Sequence, residues 1–367
     1  MNIFPFQFDS VLAFYIVVYV LTLVLHAVFM TYVLAGSIYL AWAAAFPGST
    51  KPVRSKTPLA GLLRDWMPFA LSAAITAGVA PLLFVQIIYR QEFYTSNLLL
   101  GWRWMTVVPV LIVGFYLLYV LKSKTVSQWS LAARTGLAVG VAGSFLFVAF
   151  CWTANHLLGL DQNRWPDVYA SGDVIASVPN LALRLLTWVT GAFPSLCSLA
   201  AWQLAYYARL ATTQDSNAHN EHFTSDIRKL AKMSLGGLML AVVFGSSYIT
   251  TLEASVRSQL TGSGALWLLL VVIGIACQAI GWTKQIKQGQ LTPFLKSLVT
   301  AGNVVALVGV AFLREVIRVA HVDISNVTSN VQAAAGVGGF ELFIGFTILN
   351  IGLMAFCIRV ANQRSPR

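Results

Sequence analysis

Long stretches almost free of charge recur along this chain, and they constrain its fold more than any other feature. A bilayer's hydrocarbon core is about 30 Å thick and takes about 20 helical residues to cross. Nine stretches are long enough: 11–46, 66–89, 102–121, 132–152, 181–207, 230–252, 265–282, 298–319 and 342–360. In lipid each must be a helix, because its backbone polar groups have to be satisfied within the segment. The expected fold is an all-α integral membrane protein, one bundle of about nine transmembrane helices over residues 1–367. The first run is overlong, so it tilts or projects from the bilayer. The longest intervening stretches, around 157–178 and 211–228, are too short to form a second domain. Composition agrees, since 57% of residues are hydrophobic and only 10% charged, against about 25% charged in soluble domains.

The net charge of +11 would suggest nucleic acid in a soluble protein. Its distribution points to topology instead. Lys51, Arg54, Lys56, Arg64, Lys122, Lys124, Arg134, Arg209, Arg228, Lys229, Lys232, Lys284, Lys287, Lys296, Arg359, Arg364 and Arg367 fall on one side of the nine-span alternation. Arg90, Arg103, Arg164, Arg184, Arg257, Arg314 and Arg318 fall on the other. The positive-inside rule makes the first side cytoplasmic, with the N-terminus outside and the C-terminus inside. Nucleic acid is dropped as a partner. The opening MNIFPFQFDS has no basic n-region, so the first span is expected to stay in the mature protein. Cys151, Cys197, Cys277 and Cys357 each stand alone in an apolar run, with no CxxC or CxxCH, and read as small buried hydrophobes.

Ionisable groups inside a bilayer are candidates for function. His26 lies near mid-depth of the first span, with Tyr19, Thr22, Leu23, Phe29, Met30 and Val33 around it on a helix. Neutral imidazole there could ligate a haem iron, or bond a neighbouring carbonyl or the Thr22 hydroxyl. Span eight ends FLREVIRVAHVD, where Arg314, Arg318 and His321 share a stripe beside Glu315. It reads either as a charged collar or as a haem site. In the haem site Glu315 is an iron ligand or proton group, Arg318 a propionate partner and His321 a second ligand. His156 and Asn155, in TANHLLG, either cap a helix leaving the membrane or meet a haem edge or quinone head group. Arg184 opens span five from outside. Gln86 and Arg90, with Gln91 and Glu92, read as a snorkelling interface cluster; with Asn155 they are the candidate quinone or outer-face contact. His219 and His222, in NAHNEHF, read as solvated loop residues. No phosphate loop, paired catalytic carboxylates or nucleophile–base–acid order supports a hydrolase or NTPase.

Several patches resemble subunit I of the cytochrome bd quinol oxidases. HAVFMTYVLAGSIYLAW from His26 is similar to that family's first span, ITAGVAPLLFVQ to its second, FCWTANHLLG to its fourth and LTWVTGAF (186–193) to its fifth. REVIR in span eight is similar to the family's E-V-x-R. The resemblance implies nine spans with the N-terminus outside. It also implies His26 and Glu315 as haem ligands, Arg318 as the accompanying arginine, and a second, similar partner subunit. The chain departs from the pattern at four places. RLLTW (184–188) has no histidine, 265–282 no methionine and 102–121 no acid, and the loop after span six is only about ten residues, 253–262. The family's low-spin haem, quinol loop and oxygen-reducing centre therefore lack their usual residues. A rearranged b-haem set, His26 with a partner from span four or eight, fits what remains.

The resulting expectation is a haem b subunit of a respiratory complex in a bacterial inner membrane. It would pass electrons between the quinone pool and a periplasmic partner such as cytochrome c, beside other membrane subunits. Its ligand candidates are His26, Glu315, His321 and His156, with Arg318, Arg314 and Arg184 for the propionates. One alternative is a haem-free quinone-binding anchor for a periplasmic oxidoreductase. The other is a secondary transporter, although spans six to nine carry no proline to match Pro81, Pro109 and Pro194 and no inverted repeat stands out.

Overall fold

A computed structural model of the chain describes residues 10–46, 58–174, 178, 180–210, 216–289 and 292–337, with one short run and isolated positions between 341 and 359. Among the described residues every regular element is a helix. In chain order they are α1 (Ser10–Ala45), α2 (Pro58–Ile88), α3 (Arg90–Leu100), α4 (Trp102–Met105), α5 (Val107–Lys122), α6 (Leu131–Leu160) and α7 (Trp165–Ser171). They continue with α8 (Leu181–Leu210), α9 (Ser216–Thr250), α10 (Ala254–Thr261), α11 (Ala265–Gln288), α12 (Pro293–Val319) and α13 (Ile324–Gly336). Eight spans among them are long and apolar enough to cross a membrane, α4 and α5 together making one. The chain is a helical multi-pass membrane protein. The ninth expected span, 342–360, is described only in part, and Lys51, Arg54, Lys56, Arg364 and Arg367 lie outside the described residues.

The helices overrun the expected spans. α1 has 36 residues, about 54 Å at 1.5 Å per residue, so it exceeds the hydrocarbon thickness as expected. α9 begins at Ser216, so the stretch read as a loop around 211–228 is mostly helix. Asp215, Ser216 and Asn217 provide a helix-start composition that overrides the polar character of the segment. His219 and His222 accordingly stand in the first turns of α9. Several starts are fixed by side chains. Thr292 accepts from the Leu295 amide at 3.2 Å, with Pro293 following it, and Ser130 accepts from the Ala133 amide at 3.3 Å.

The apolar interior divides into two clusters along the bundle. One holds Tyr19, Tyr89, Leu158, Tyr248 and Ile317. The other holds Leu59, Met67, Leu230, Trp282 and Val299. The C-terminal ends of α2, α6, α9 and α12 and the N-terminal ends of α1 and α8 meet at the first. The opposite end brings the starts of α2 and α9 together, where the Leu59 amide donates to the buried Asp226 at 3.3 Å. α5 is peripheral: it buries Val107, Gly114 and Leu118 but exposes Val108, Ile112, Val113, Tyr116 and Tyr119. Such a face suits lipid and not water.

α11 and α12 make the closest crossing, and glycine makes it possible. A Cβ on Gly274 would lie 2.5 Å from the Gly302 carbonyl oxygen, and one on Gly302 would lie 2.8 Å from the Gly274 oxygen. One on Gly309 would meet the Trp267 oxygen at 2.7 Å. Gly274 and Gly281 on α11, and Gly302 and Gly309 on α12, are each seven residues apart, so they line one seam per helix.

Candidate functional site

Span eight's charged stripe packs against ring side chains from α1, the α2–α3 break and α6. α2 stops at Ile88 and α3 restarts at Arg90, so Tyr89 sits at the break with φ −116° and ψ 50°. The break turns Tyr89 inward, where its hydroxyl donates to Glu315 Oε2 at 2.8 Å. Arg318 lies over the Tyr89 ring, 4.4 Å from its centroid. The Tyr19 hydroxyl on α1 accepts from Arg314 Nη1 at 2.9 Å and from Arg318 Nη1 at 3.3 Å. Glu315 Oε1 lies 3.5 Å from Arg318 Nη1 and 3.8 Å from Arg314 Nη1.

His156 on α6 completes this group. Its Nδ1 is 2.8 Å from Arg318 Nη2. A guanidinium only donates, so Nδ1 accepts and the ring's proton sits on Nε2. That tautomer has no lone pair left for a metal. Nε2–H is itself buried with no hydrogen-bond partner among the described residues. Arg184, in the first turn of α8 after the left-handed Asn180 (φ 63°), is also buried. It lies over the Tyr248 ring at 4.8 Å and within electrostatic range of Arg314, Arg318 and Glu315. Its Nε and Nη2 have no hydrogen-bond partner among the described residues. Three arginines against one carboxylate leave this buried cluster near +2. Charges removed from water need compensation, so the cluster suits an anionic group.

His26 stands apart from that cluster, whereas His321 is within electrostatic range of His156. His321 Nδ1 is 2.7 Å from the Ile317 carbonyl, one turn back, so it donates and Nε2 carries the lone pair. His321 lines a cavity of about 700 Å³, with Leu157, Leu160, Tyr248, Leu252, Glu92 and Glu253 among its walls. That volume is in the range of small-molecule sites. Beside it Asp323 caps α13, and hydrogen bonds from the Ser325 hydroxyl and amide hold its carboxyl below the usual carboxylate range. His26 Nδ1 donates to the Ala74 carbonyl of α2 at 2.9 Å, which leaves its Nε2 lone pair free of the described residues. The ring fits because position 78 is glycine; a Cβ there would meet His26 Cε1 and Nδ1 at 2.9 Å. His26 lies two turns along α1 from Tyr19, about 10 Å deeper.

The structure thus gathers Glu315, Arg314, Arg318 and His156, with Arg184 and His321 beside them, and keeps His26 separate. Asn155 turns to α3, where its amide donates to Asn97 Oδ1 at 2.7 Å and ties two helices together. Arg90 is exposed and Gln86 half-buried. None of these three lines the cavity. Tyr19, Tyr89 and Tyr248 also pack on these charged groups, which motif reading did not show. A phenol in an apolar span needs a polar partner, and that requirement was their signal. Among the described residues no three His, Cys, Asp or Glu side chains converge as a metal centre. No protein-family model matches the chain, and no curated protein matches it.

Proposed function

We propose that this chain is a b-type haem-binding membrane subunit of an electron-transfer complex. It would exchange electrons between quinone and a redox protein at its Glu315 end. One observation carries the reading: the setting of His26. Haem-ligating histidines donate Nδ1–H to a carbonyl or carboxylate, which fixes the ring and leaves Nε2 for iron. His26 has that arrangement through Ala74, in an apolar span, with Gly78 clearing room for the ring. Bound haem would supply the one-electron chemistry. The chain's own residues would bind and orient it. His26 is the first ligand candidate, Glu315 Oε1 and His321 Nε2 follow, and the surplus arginines of the +2 cluster suit propionates. In this reading His156 accepts from Arg318 within that cluster and is not a ligand.

The cavity beside His321 is the better candidate for a quinol head group, in place of Gln86, Arg90 and Asn155. His321 Nε2 can take a hydroxyl proton, and Leu157, Leu160 and Leu252 can cover the ring. The nine-span, N-outside topology and a bacterial inner membrane belong to the same proposal, supported by the separation of basic residues between the two ends. A second reading, a haem-free quinone-binding anchor, is favoured by Glu315 itself, whose carboxylate already has Tyr89 and two arginines around it.

A pyridine haemochrome assay on the intact purified protein decides between the two. Haem b near one or more equivalents is expected, and none would sink the cytochrome reading. His26→Ala should then remove or convert one haem, and an unchanged reduced spectrum would exclude that ligand. Single-cysteine labelling from either side of sealed vesicles tests the orientation, with position 163 expected outside and position 287 inside.

A further inference from the structure

The end of the bundle opposite Glu315 has a polar interior that the proposed function does not use. Gln278, Trp282 and Gln285 of α11 are one helix stripe, since positions four and seven residues apart return to the same face. They are 1%, 0% and 2% exposed. Gln278 Oε1, Trp282 Nε1, and both Oε1 and Nε2 of Gln285 have no hydrogen-bond partner among the described residues. Ser234 Oγ, on the α9 face that brings Leu230 and Ala231 into the same core, is equally unpartnered and fully buried. Further polar groups continue from this stripe on α12. Gln278 packs on Gly302, and the next residue, Asn303, accepts from Ser195 of α8 at 2.9 Å.

Buried polar atoms without partners are rare, and ordered water commonly satisfies them where the site is polar. In a membrane bundle irregular polarity of this kind lines water-filled space or a functional path. Here the unpartnered atoms are successive along one helix. From Gln285, one turn from the Lys287 end of α11, they rise about 10 Å to Gln278. The group contains donors (Trp282 N–H, Gln285 NH2, Ser234 O–H) and acceptors (the two glutamine carbonyls). It carries no charge of its own, so it suits neither an ion nor a charged substrate. The charged groups nearest in the chain, Lys284 and Lys287, are exposed.

We propose that α9, α11 and α12 enclose a file of bound water that enters beside Gln285 and reaches mid-depth at Gln278. The file is an aqueous inlet from the lysine-rich end, able to carry protons into the bundle by exchange along hydrogen bonds. It does not depend on haem or quinone binding at the other end.

The indole N–H of Trp282 reports on it directly. The 15N-tryptophan-labelled protein in nanodiscs is transferred to D2O and followed by NMR, with Trp282→Phe assigning the peak. Trp282 N–H should exchange at least tenfold faster than Trp165 N–H, which is tied to the Leu158 carbonyl at 2.8 Å. Gln278→Leu and Gln285→Leu should each slow that exchange. Protection of Trp282 equal to or greater than that of Trp165 would overturn the proposal. If Trp282→Phe does not fold, melting of the two glutamine variants takes its place. Water-bonded amides predict that both melt below the wild type, and dry, unpartnered amides predict that both melt above it, which would refute the file.

Discussion

Removing the Glu315 carboxylate tests the charge balance on which the arginine cluster rests. Glu315 Oε1 faces Arg318 at 3.5 Å and Arg314 at 3.8 Å; with an effective dielectric near 20, each attraction is about 4–5 kcal/mol. Desolvation of the three groups offsets much of that. The relevant quantity is the cost of stranding the partners, about 3–5 kcal/mol when one member of a buried pair is deleted. Glu315→Ala raises the buried charge from near +2 to near +3. It also leaves the fully buried Tyr89 hydroxyl without its 2.8 Å acceptor, worth about 1 kcal/mol more. The apparent melting temperature, read by thiol-reactive dye or tryptophan fluorescence in detergent, should fall by roughly 5–10 °C. Glu315→Gln keeps an acceptor for Tyr89 and loses only the charge, so it should lie between wild type and Glu315→Ala. Tyr89→Phe alone should cost about 1 kcal/mol, and the Tyr89→Phe/Glu315→Ala cycle should show coupling of about the same size. A Glu315→Ala melt within a degree of wild type, or a cycle with zero coupling, would refute the reasoning.

Other consequences follow from single contacts. Gly274→Ala drives a methyl against the Gly302 carbonyl and the Ala306 amide, 2.5 and 2.6 Å from the new Cβ; it should destabilise by about 1–3 kcal/mol or more, seen as a lower melting temperature. Gly78→Ala pushes the His26 ring off the Ala74 carbonyl without removing its nitrogens, so the bands of any bound haem should shift or weaken while the ligand residue is intact. Asp323 is held below the ordinary carboxylate range by Ser325. A depressed folded-state value gives stability that is present above the unfolded value and lost as pH falls through the folded one. Amide protection in the first turn of α13 should therefore decline only below about pH 4. In Asp323→Ala it should already be low at neutral pH.

Apolar run length alone dictates helices and a membrane, because lipid accepts no other backbone arrangement for such segments. That part of the fold was readable residue by residue, down to the overlong first span. The charged stripe at 314–321 and the lone His26 were also readable, since ionisable residues are scarce within the spans. Local sequence could not say which of them meet. Tyr19, Tyr89, His156 and Arg184 are separated along the chain by 28 to 165 residues, and only the alternation and packing of α1, α2, α6, α8 and α12 bring them onto Glu315 and Arg318. The tautomer of His156 depends on an arginine 162 residues away, so its role as an acceptor from Arg318 was decided in three dimensions. The same holds for Asn155, whose side chain went to Asn97 because α3 lies against α6. The stripe at 278–285, unpartnered among the described residues, has the residue types of an ordinary half-buried helix face. Only burial against α9 and α12 takes those groups away from bulk water and makes them in need of a partner.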